Sequence, residues 1–483
     1  MAQELTLGID IGTSGVKAIL LGANGMLAAQ ATAPLSISRP HPLWSEQDPD
    51  DWWAATEQAV LALPADLRAA VQAVGLAGQM HGATVLGADD LPLRPAILWN
   101  DGRSFAECAT IEASVPQARA ITGNLAMPGF TAPKLQWLGE HEPDTFARIE
   151  TVLLPKDFVR LCMTGDKASD MSDSAGTLWL DVAARDWSDA MLEATGLRRR
   201  HMPRLFEGCE ATGTLRADVA ARWGMECVPV AAGGGDNAAG ALGVGVVADG
   251  QGMLSLGTSG VIFVATAAFR PNPERAVHAF CHCLPDMWHQ MSVHLSAASC
   301  LDWAAKLAGC EVATLLASAK AAGAAAGPEL FLPYLSGERT PHNDPHLRAA
   351  LLRMDSDSDA GRIGAAVLEG VAFAHADGIA ALREAGTRIE RLSVIGGGAR
   401  SHHWGTILAA ALDVELDYLD GGEVGPALGA ARLAQLAASG GDPADVCQPP
   451  PVVRTISPDP LLAERLAPKL DAFRRATAAI RTL

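Results

Sequence analysis

Features that mark a membrane or secreted protein are missing from this chain. No run of eighteen or more uninterrupted apolar residues occurs among its 483 residues, and a helix needs about that many to cross a bilayer. The first residues, Met1 to Glu4, carry no basic side chain and lead directly into a strand-like segment, unlike a signal peptide. The sequence therefore predicts a cytoplasmic protein with no membrane partner.

Positive charge is also scarce. The chain has 37 Lys and Arg against 55 Asp and Glu, which leaves a formal net charge of -18. A field of this sign repels phosphate backbones and anionic lipid headgroups unless a local basic patch intervenes. We therefore expect neither nucleic acid nor a membrane surface as a partner.

The cysteines show no disulfide pattern. Nine of them, an odd number, are scattered from Cys108 to Cys447, which indicates reduced thiols. The segment Cys281-His282-Cys283 is the only cluster that suggests a metal, but Cys-x-Cys is not a usual zinc spacing. Alternate residues of a strand share one face, so the pattern favours two small apolar side chains on a buried face.

What is present is the alternation of an α/β protein. Hydrophobic residues make up 49% of the chain and charged residues 19%, which is typical of a globular protein with more than one core. Short β-rich runs alternate with alanine-rich helical stretches. The pattern predicts helices at 52–63 and 461–480, and strands at 5–9, 16–21, 73–76, 228–231, 253–256, 261–266 and 392–395.

One four-residue segment occurs twice. Gly12-Thr13-Ser14-Gly15 recurs as Gly257-Thr258-Ser259-Gly260, 245 residues later, each time between two strand-like runs. This repeat indicates two similar lobes, each offering a Gly-Thr-Ser hairpin to a shared cleft, although such a match is also a common hairpin turn. A Gly-rich stretch at 243–252 suggests the boundary, with lobes at 1–245 and 246–483.

Two carboxylates stand where strands end. Asp10 precedes the first hairpin turn, where a carboxylate can reach a divalent cation while backbone N–H groups face phosphate oxygens, or can simply form the turn. Asp236 follows three glycines, Gly233 to Gly235, that let a ligand approach the backbone. It can accept a proton from a hydroxyl that attacks a phosphoryl group, or can only cap the next helix.

Other polar segments suit a sugar and a nucleotide. Met80-His81 and the stretch from Trp99 to Arg103 follow strands of the first lobe and could bind hydroxyl groups, although a lone His is more often structural. The glycine run from Gly396 to Ser401 suits adenine and ribose lying against backbone. No P-loop motif is present.

Five segments in this order resemble the FGGY family of carbohydrate kinases, over the chain from Gly8 to about Ala437. They are the residues 8–14, 129–138, 233–237, 256–259 and 396–401. The resemblance implies a two-lobed α/β fold, actin-like and ribonuclease-H-like in each lobe, with a central cleft. It also implies a sugar-binding N-terminal lobe, an ATP-binding C-terminal lobe and a homodimer.

The activity that the resemblance implies is transfer of the γ-phosphoryl group of ATP to the 5-hydroxyl of D-xylulose. Alternatives are a kinase of another ketopentose or a pentitol, such as ribulose or arabitol, and an actin-like ATP switch that has no sugar substrate. Asp236 is the expected catalytic base, and magnesium is expected at Asp10 and Asp236. The expected sugar contacts are Met80, His81, Asp236 and Asn237, and the expected ATP contacts are Thr13, Ser14, Gly257, Thr258, Gly397, Gly398 and Ser401.

One segment departs from the family pattern. The second family signature has a glycine where this chain has Arg353, and an acidic or amide residue where it has Arg362. Because no catalytic group is expected there, we predict altered packing or an altered ATP-side surface and not loss of activity.

Overall fold

The chain folds around two large β-sheets, one in each half of the sequence. The computed structural model describes residues 4–420 and 425–482. Among these residues, each large sheet has seven strands. This two-domain, mixed α/β architecture with two sheets agrees with the fold class that the sequence predicts.

The first sheet belongs to the N-terminal lobe. Its strands follow the order Ala211–Thr214, Pro229–Ala231, Val71–Gly78, Leu5–Ile11, Gly15–Gly22 and Leu27–Pro34, and Gly234–Gly235 also pairs with Val71–Gly78. Leu5–Ile11 and Gly15–Gly22 form the predicted antiparallel hairpin. Val71–Gly78 runs parallel to Leu5–Ile11 on its other side.

The second sheet repeats this arrangement. Its strands follow the order His278–Cys281, Trp288–His294, Gly260–Thr266, Gly252–Leu256, Arg391–Ile395, Glu415–Leu419 and Val452–Ile456. Gly252–Leu256 and Gly260–Thr266 form the second antiparallel hairpin, and Arg391–Ile395 lies parallel to Gly252–Leu256. The repeated Gly-Thr-Ser turn therefore joins the same two strands of the same substructure in both lobes.

Helices and short strand pairs surround the sheets. The helices are Pro49–Leu61, Ala65–Arg68, Phe105–Ser114, Ala118–Thr122, Thr131–His141, Pro143–Phe146, Pro155–Thr164, Met171–Ala175, Asp189–Glu193, Ala217–Trp223, Asp236–Gly243, Ser299–Ala308, Val312–Ala322, Ala360–Glu384, His402–Leu412, Gly425–Ser439, Pro443–Val446 and Pro460–Ile480, with 3-10 turns at Arg199–His201, Pro273–Arg275 and Gly397–Arg400. The short pairs are Glu46–Gln47 with Ala96–Ile97, Thr84–Leu86 with Thr151–Leu153, Ala168–Asp170 with Arg204–Phe206, Leu180–Asp181 with Asp186–Trp187, and Leu330–Leu332 with Ala350–Leu352. The helices predicted at 52–63 and 461–480 are present, with ends shifted by no more than three residues.

A helix from the second half of the sequence packs on the first sheet. Gly425–Ser439 lies so close that a Cβ at Gly8 would be 2.1 Å from the Ala427 carbonyl oxygen, and one at Gly75 would be 1.9 Å from that of Ala430. Only glycine permits this approach. The contact explains why the central strands of the first sheet are apolar on both faces.

Helix Ala360–Glu384 is long and apolar enough to cross a membrane by length and composition alone. In the structure, however, 94% of the most apolar 18-residue stretch of this helix is buried within the protein. It packs in the hydrophobic core of the second lobe, which accounts for its composition.

The lobes also touch beside the cleft. The side-chain amide of Asn124, from the first lobe, donates to the Ala279 carbonyl at 2.9 Å and lies 3.0 Å from Nδ1 of His278. All nine cysteines are free thiols, as predicted, and both Cys281 and Cys283 are fully buried near this contact. Strand His278–Cys281 ends at the first of them.

The two departures from the family pattern lie on the second lobe. Arg353 directly follows strand Ala350–Leu352 and has φ +60°, a left-handed conformation that favours glycine. The Arg362 guanidinium lies 2.8 Å from Glu329 and 3.1 Å from Asp355. The turn is therefore kept with arginine in the strained position, and the second arginine is held by two carboxylates.

Candidate active site

Three parallel strands of the first sheet bring the predicted residues to one edge. Asp10 pairs in register with Ala77, and the pair Gly234–Gly235 lies opposite Ala77 and Gly78 on the other side of the same strand. Asp236 begins a helix directly after Gly235. Because parallel strands share one carboxyl edge, Asp10 and Asp236 flank the segment that continues into Met80 and His81.

Asp10 is a half-buried carboxylate beside Asp236. One of its oxygens, Oδ1, is buried and has no hydrogen-bond partner. Burial, followed by the nearby charge of Asp236, raises its pKa to about 7, and Lys17 opposes the shift. An unpartnered carboxylate oxygen in an acidic pair is the donor that Mg²⁺ prefers, so the site fits this ion. Asp10 and Asp236 are the residues that could hold it.

Asp236 is a half-buried carboxylate, and its hydrogen bonds from Asn237 all go to one of its two oxygens. Burial raises its pKa to about 6, although hydrogen bonds from Asn237 oppose the shift. Those bonds come from the backbone and the side-chain nitrogens of Asn237 to the same oxygen, Oδ1, at 2.7 and 2.8 Å. The second oxygen thus stays available for a substrate hydroxyl, with a pKa close to that of an efficient base near neutral pH.

His81 is held in a strained conformation. Its φ is +69°, which is rare outside glycine and is often found at functional sites. Its Nδ1 lies 2.5 Å from the Gly176 carbonyl oxygen and must therefore carry the proton. Burial, with Lys134 and Arg339 nearby, lowers its pKa to about 3. The ring is neutral, and its Nε2 can accept a hydrogen bond from a hydroxyl.

Residues of the first family signature support this histidine. The Lys134 ammonium donates to the carbonyl oxygens of His81 and Gly129, each at 2.8 Å. The Phe130 ring packs edge-on against the imidazole, with ring centres 5.0 Å apart. On the other side, a Cβ at Gly235 would lie 2.9 Å from Cγ of Met80, so this glycine lets Met80 approach Asp236. Met80, His81 and Asp236 therefore form one cluster.

The first Gly-Thr-Ser turn is anchored by a network that the sequence did not indicate. Thr13 Oγ1 donates to Gln79 Oε1 and accepts from Trp99 Nε1, both at 3.0 Å. Gln47 donates to the Thr13 carbonyl oxygen at 2.8 Å. Ser14, the next residue, is exposed. The turn is thus fixed beside the strand end that carries Met80 and His81.

The second turn adjoins a cavity. The Gly257 and Thr258 carbonyl oxygens accept from Ala298 and Ala297, both at 2.9 Å. Ala298 also lines a cavity of about 410 Å³ whose wall includes Gly397, Gly398 and Ser401. Helix His402–Leu412 begins there, and Ser401 Oγ accepts from the backbone of Trp404 at 3.3 Å. Three of the residues expected to contact ATP, Gly397, Gly398 and Ser401, therefore line one cavity, and the Gly257–Thr258 turn lies beside it.

Asp101 is bound by neighbouring groups and also lines a cavity of about 520 Å³. Both Asp101 oxygens accept from the Arg103 guanidinium, at 2.9 and 2.7 Å, and one also accepts from the Ser45 backbone at 2.6 Å. The Asp-x-Arg spacing is the signal that could have indicated the internal pairing of Asp101.

Comparison with known proteins agrees with this geometry. The model of the FGGY family of carbohydrate kinases, N-terminal domain, matches residues 5–243, and that of the C-terminal domain matches residues 252–438. The chain is 59% identical over 436 residues to a xylulose kinase of Escherichia coli K12, covering 90% of each chain. It is 53% identical over 482 residues to a xylulose kinase of Klebsiella pneumoniae, covering 99% of each.

A solved structure agrees as well. A crystal structure described as a xyloylose kinase from Brucella ovis superposes with a TM-score of 0.96 and 49% identity, covering 99% of each chain. The two family models together span most of both lobes and all of the candidate site residues. The chain belongs to the FGGY family of carbohydrate kinases.

Proposed function

We propose that this chain transfers the γ-phosphoryl group of ATP to the 5-hydroxyl of D-xylulose, with Asp236 as the general base. The observation that carries the proposal is the cluster of Asp236, His81 and Met80 beside the unpartnered oxygen of Asp10. The similarity to two curated xylulose kinases, at 59% and 53% identity, supports the substrate.

The sugar is held at the edge of the first sheet. His81 Nε2 accepts a hydrogen bond from one hydroxyl, and Asn237 lies beside Asp236 to contact another. Met80 closes the apolar side of the pocket. As the 5-oxygen attacks the γ-phosphorus, its proton passes to Asp236, the new O–P bond forms, and the bond between the γ-phosphorus and the leaving ADP oxygen breaks.

ATP lies between the two hairpins in this proposal. Thr13 and Ser14 from one lobe, and Gly257 and Thr258 from the other, contact the phosphates, because short glycine turns present backbone N–H groups to anions. Gly397, Gly398 and Ser401 contact the adenosine in the cavity of about 410 Å³. Magnesium, held by Asp10 and Asp236, neutralises charge on the phosphates when it is bound.

In this proposal the two lobes bind different substrates. Residues 1–245 bind the sugar and residues 246–483 bind the nucleotide. We further propose that the enzyme acts in the cytoplasm, which the nine free thiols support, and as a homodimer, which the family resemblance supports.

The test is ADP release by the purified protein with ATP and magnesium. D-xylulose, D-ribulose, L-ribulose, D-arabitol, xylitol and glycerol are compared with no sugar. We expect stimulation by D-xylulose at least tenfold above the others. Strong stimulation by another of these compounds would overturn the substrate, and stimulation by none would favour an ATP switch.

The role of Asp236 is tested by substitution. Asp236→Ala should lower the rate of sugar phosphorylation by about 10²–10⁴-fold, the usual contribution of a positioned general base. The control is Asp66→Ala, which removes an exposed carboxylate of helix Ala65–Arg68 and should leave the rate within twofold. A rate for Asp236→Ala within a few-fold of the parent would exclude it as the base.

A further inference from the structure

A buried ion cluster lies beneath the sugar site. The Lys156 ammonium is 2.5 Å from Asp157 Oδ1, 2.8 Å from Asp170 Oδ1 and 3.3 Å from Asp173 Oδ2. All four side chains are completely buried. Burying these charged groups costs desolvation energy, and apolar side chains of the same volume could pack there at least as stably. The cluster therefore calls for a role other than stability.

One of these carboxylates anchors a short helix. Asp170 precedes helix Met171–Ala175, and its Oδ2 accepts from the backbone nitrogens of Ser172 and Asp173 at 2.7 and 3.2 Å. The same oxygen accepts from the Ser172 hydroxyl at 2.5 Å, so the direction of that hydroxyl is fixed. With Lys156 on the other oxygen of Asp170, the start of the helix is held from both sides.

The Ser172 hydroxyl contacts the backbone next to Asp236. The backbone N–H of Gly235 donates to Ser172 Oγ at 3.1 Å. Gly235 immediately precedes Asp236, so this bond fixes the peptide unit from which the carboxylate projects. Ser172 is fully buried, and the Gly235 amide would lose its partner if the hydroxyl were removed.

The other end of the same helix reaches the sugar-binding histidine. Gly176, directly after the helix, accepts the hydrogen bond from His81 Nδ1 at 2.5 Å. A Cβ at Gly176 would lie 2.6 Å from Cε1 of the imidazole, which shows how closely the ring rests on this backbone. A five-residue helix therefore contacts both His81 and the residue before Asp236.

We propose that Ser172, anchored by the Lys156–Asp170 ion pair, is a positioning residue that sets the distance between the base Asp236 and the sugar bound at His81. This inference rests on the proposed role of Asp236. The ion cluster makes the short helix rigid, and the helix holds the two groups at a constant separation. A displacement of 1 Å at a reacting group can cost about a hundredfold in rate, so such rigidity matters for catalysis.

The first test compares two serines of the same helix. Ser172→Ala should lower kcat about tenfold, equivalent to ~1.4 kcal/mol of activation free energy, and leave the KM for ATP within twofold. The control is Ser174→Ala, because Ser174 is equally buried but donates only to Ser169, at 2.9 Å. It should leave kcat within twofold. Equal kcat values for the two variants would overturn the proposal.

A nearly isosteric variant separates positioning from packing. Ser172→Cys keeps the volume of the side chain, but sulfur is a weak hydrogen-bond acceptor. We expect a loss of kcat between twofold and tenfold, with a melting temperature within about 1 °C of the parent, because in a chain of this size even a small shift reflects a sizeable change in the free energy of unfolding. A parental kcat for this folded variant would also overturn the proposal.

A double-mutant cycle shows whether Ser172 acts through Asp236. In an Asp236→Ala background, Ser172→Ala should change the residual rate, measured by mass spectrometry of the sugar phosphate, by less than twofold. An undiminished tenfold effect there would refute action through Asp236. The experiments separate the two hypotheses. A parental rate for Asp236→Ala refutes the role of Asp236 as the base. A parental rate for Ser172→Ala, together with a slow Asp236→Ala, refutes the positioning role of Ser172.

Discussion

A single methyl group at Gly429 should disturb catalysis from outside the active site. Gly429 lies in helix Gly425–Ser439, which packs against helix Asp236–Gly243. A Cβ at Gly429 would be 1.8 Å from the Ala239 carbonyl oxygen and 2.6 Å from the Ala239 carbonyl carbon. The overlap is with the backbone of Ala239, three residues after Asp236, so no side-chain rotation can relieve it.

The size of the effect follows from this distance. A close carbon–oxygen contact between packed helices is ~3.3 Å, so the two helices must separate by about 1.5 Å. Overpacking of this kind lowers the free energy of unfolding by ~1–3 kcal/mol, and the better helix propensity of alanine offsets less than ~1 kcal/mol of this loss. Since the moved helix begins at Asp236, we expect kcat to fall about 10²-fold for Gly429→Ala.

The assay is sugar-dependent ADP release together with thermal unfolding. Gly240→Ala is the matched control, because it adds the same methyl group to helix Asp236–Gly243 with only Pro426 Cγ nearby, at 3.8 Å. It should stabilise the protein by up to ~1 kcal/mol and leave kcat within twofold. A Gly429→Ala variant with parental kcat and melting temperature would refute the inference that this contact positions Asp236.

Three further predictions concern charge and strain. Because Asp236 must be ionised to accept a proton and its pKa is about 6, kcat should fall as the pH is lowered through 6, and a pH–rate profile that stays flat to pH 4.5 would contradict this. Asp10→Asn should raise the magnesium concentration for half-maximal activity at least tenfold, since an amide is a weaker ligand than a carboxylate; an unchanged magnesium titration would argue against the ion at this residue. Arg353→Gly should raise the free energy of unfolding by ~0.5–1 kcal/mol, because glycine relieves the left-handed strain at φ +60°, and should leave the KM for ATP within twofold. If denaturant titration shows a less stable variant, the contacts of the arginine side chain matter more than its backbone strain.

Local features were predictable from the sequence. The turns at Gly12 and Gly257 each join two neighbouring strands, so a few residues determine both the hairpin and its place in the sheet. Asp10 and Asp236 could also be picked out, because each follows a strand and precedes a turn or a helix. Their closeness depends on the parallel register of three strands, which the local pattern alone does not determine.

Long-range contacts were not predictable in this way. The Ser172 hydroxyl meets the Gly235 amide across 63 positions of the chain, and neither residue belongs to a pattern that indicates the other. The sequence marks Asp101 as a candidate sugar ligand, but it does not show that the Arg103 guanidinium contacts both of its oxygens. Buried polar side chains are committed to whichever partner the tertiary fold supplies, and the sequence shows only that they can form hydrogen bonds.

The contact of helix Gly425–Ser439 with the first sheet affects how the chain can fold during its synthesis. Strands Leu5–Ile11 and Val71–Gly78 leave the ribosome more than 340 residues before the helix that covers one of their faces. At a synthesis rate of about 5–20 residues per second, that apolar face stays uncovered for tens of seconds. The core of the N-terminal half is therefore completed only after residues 425–439 have been synthesised.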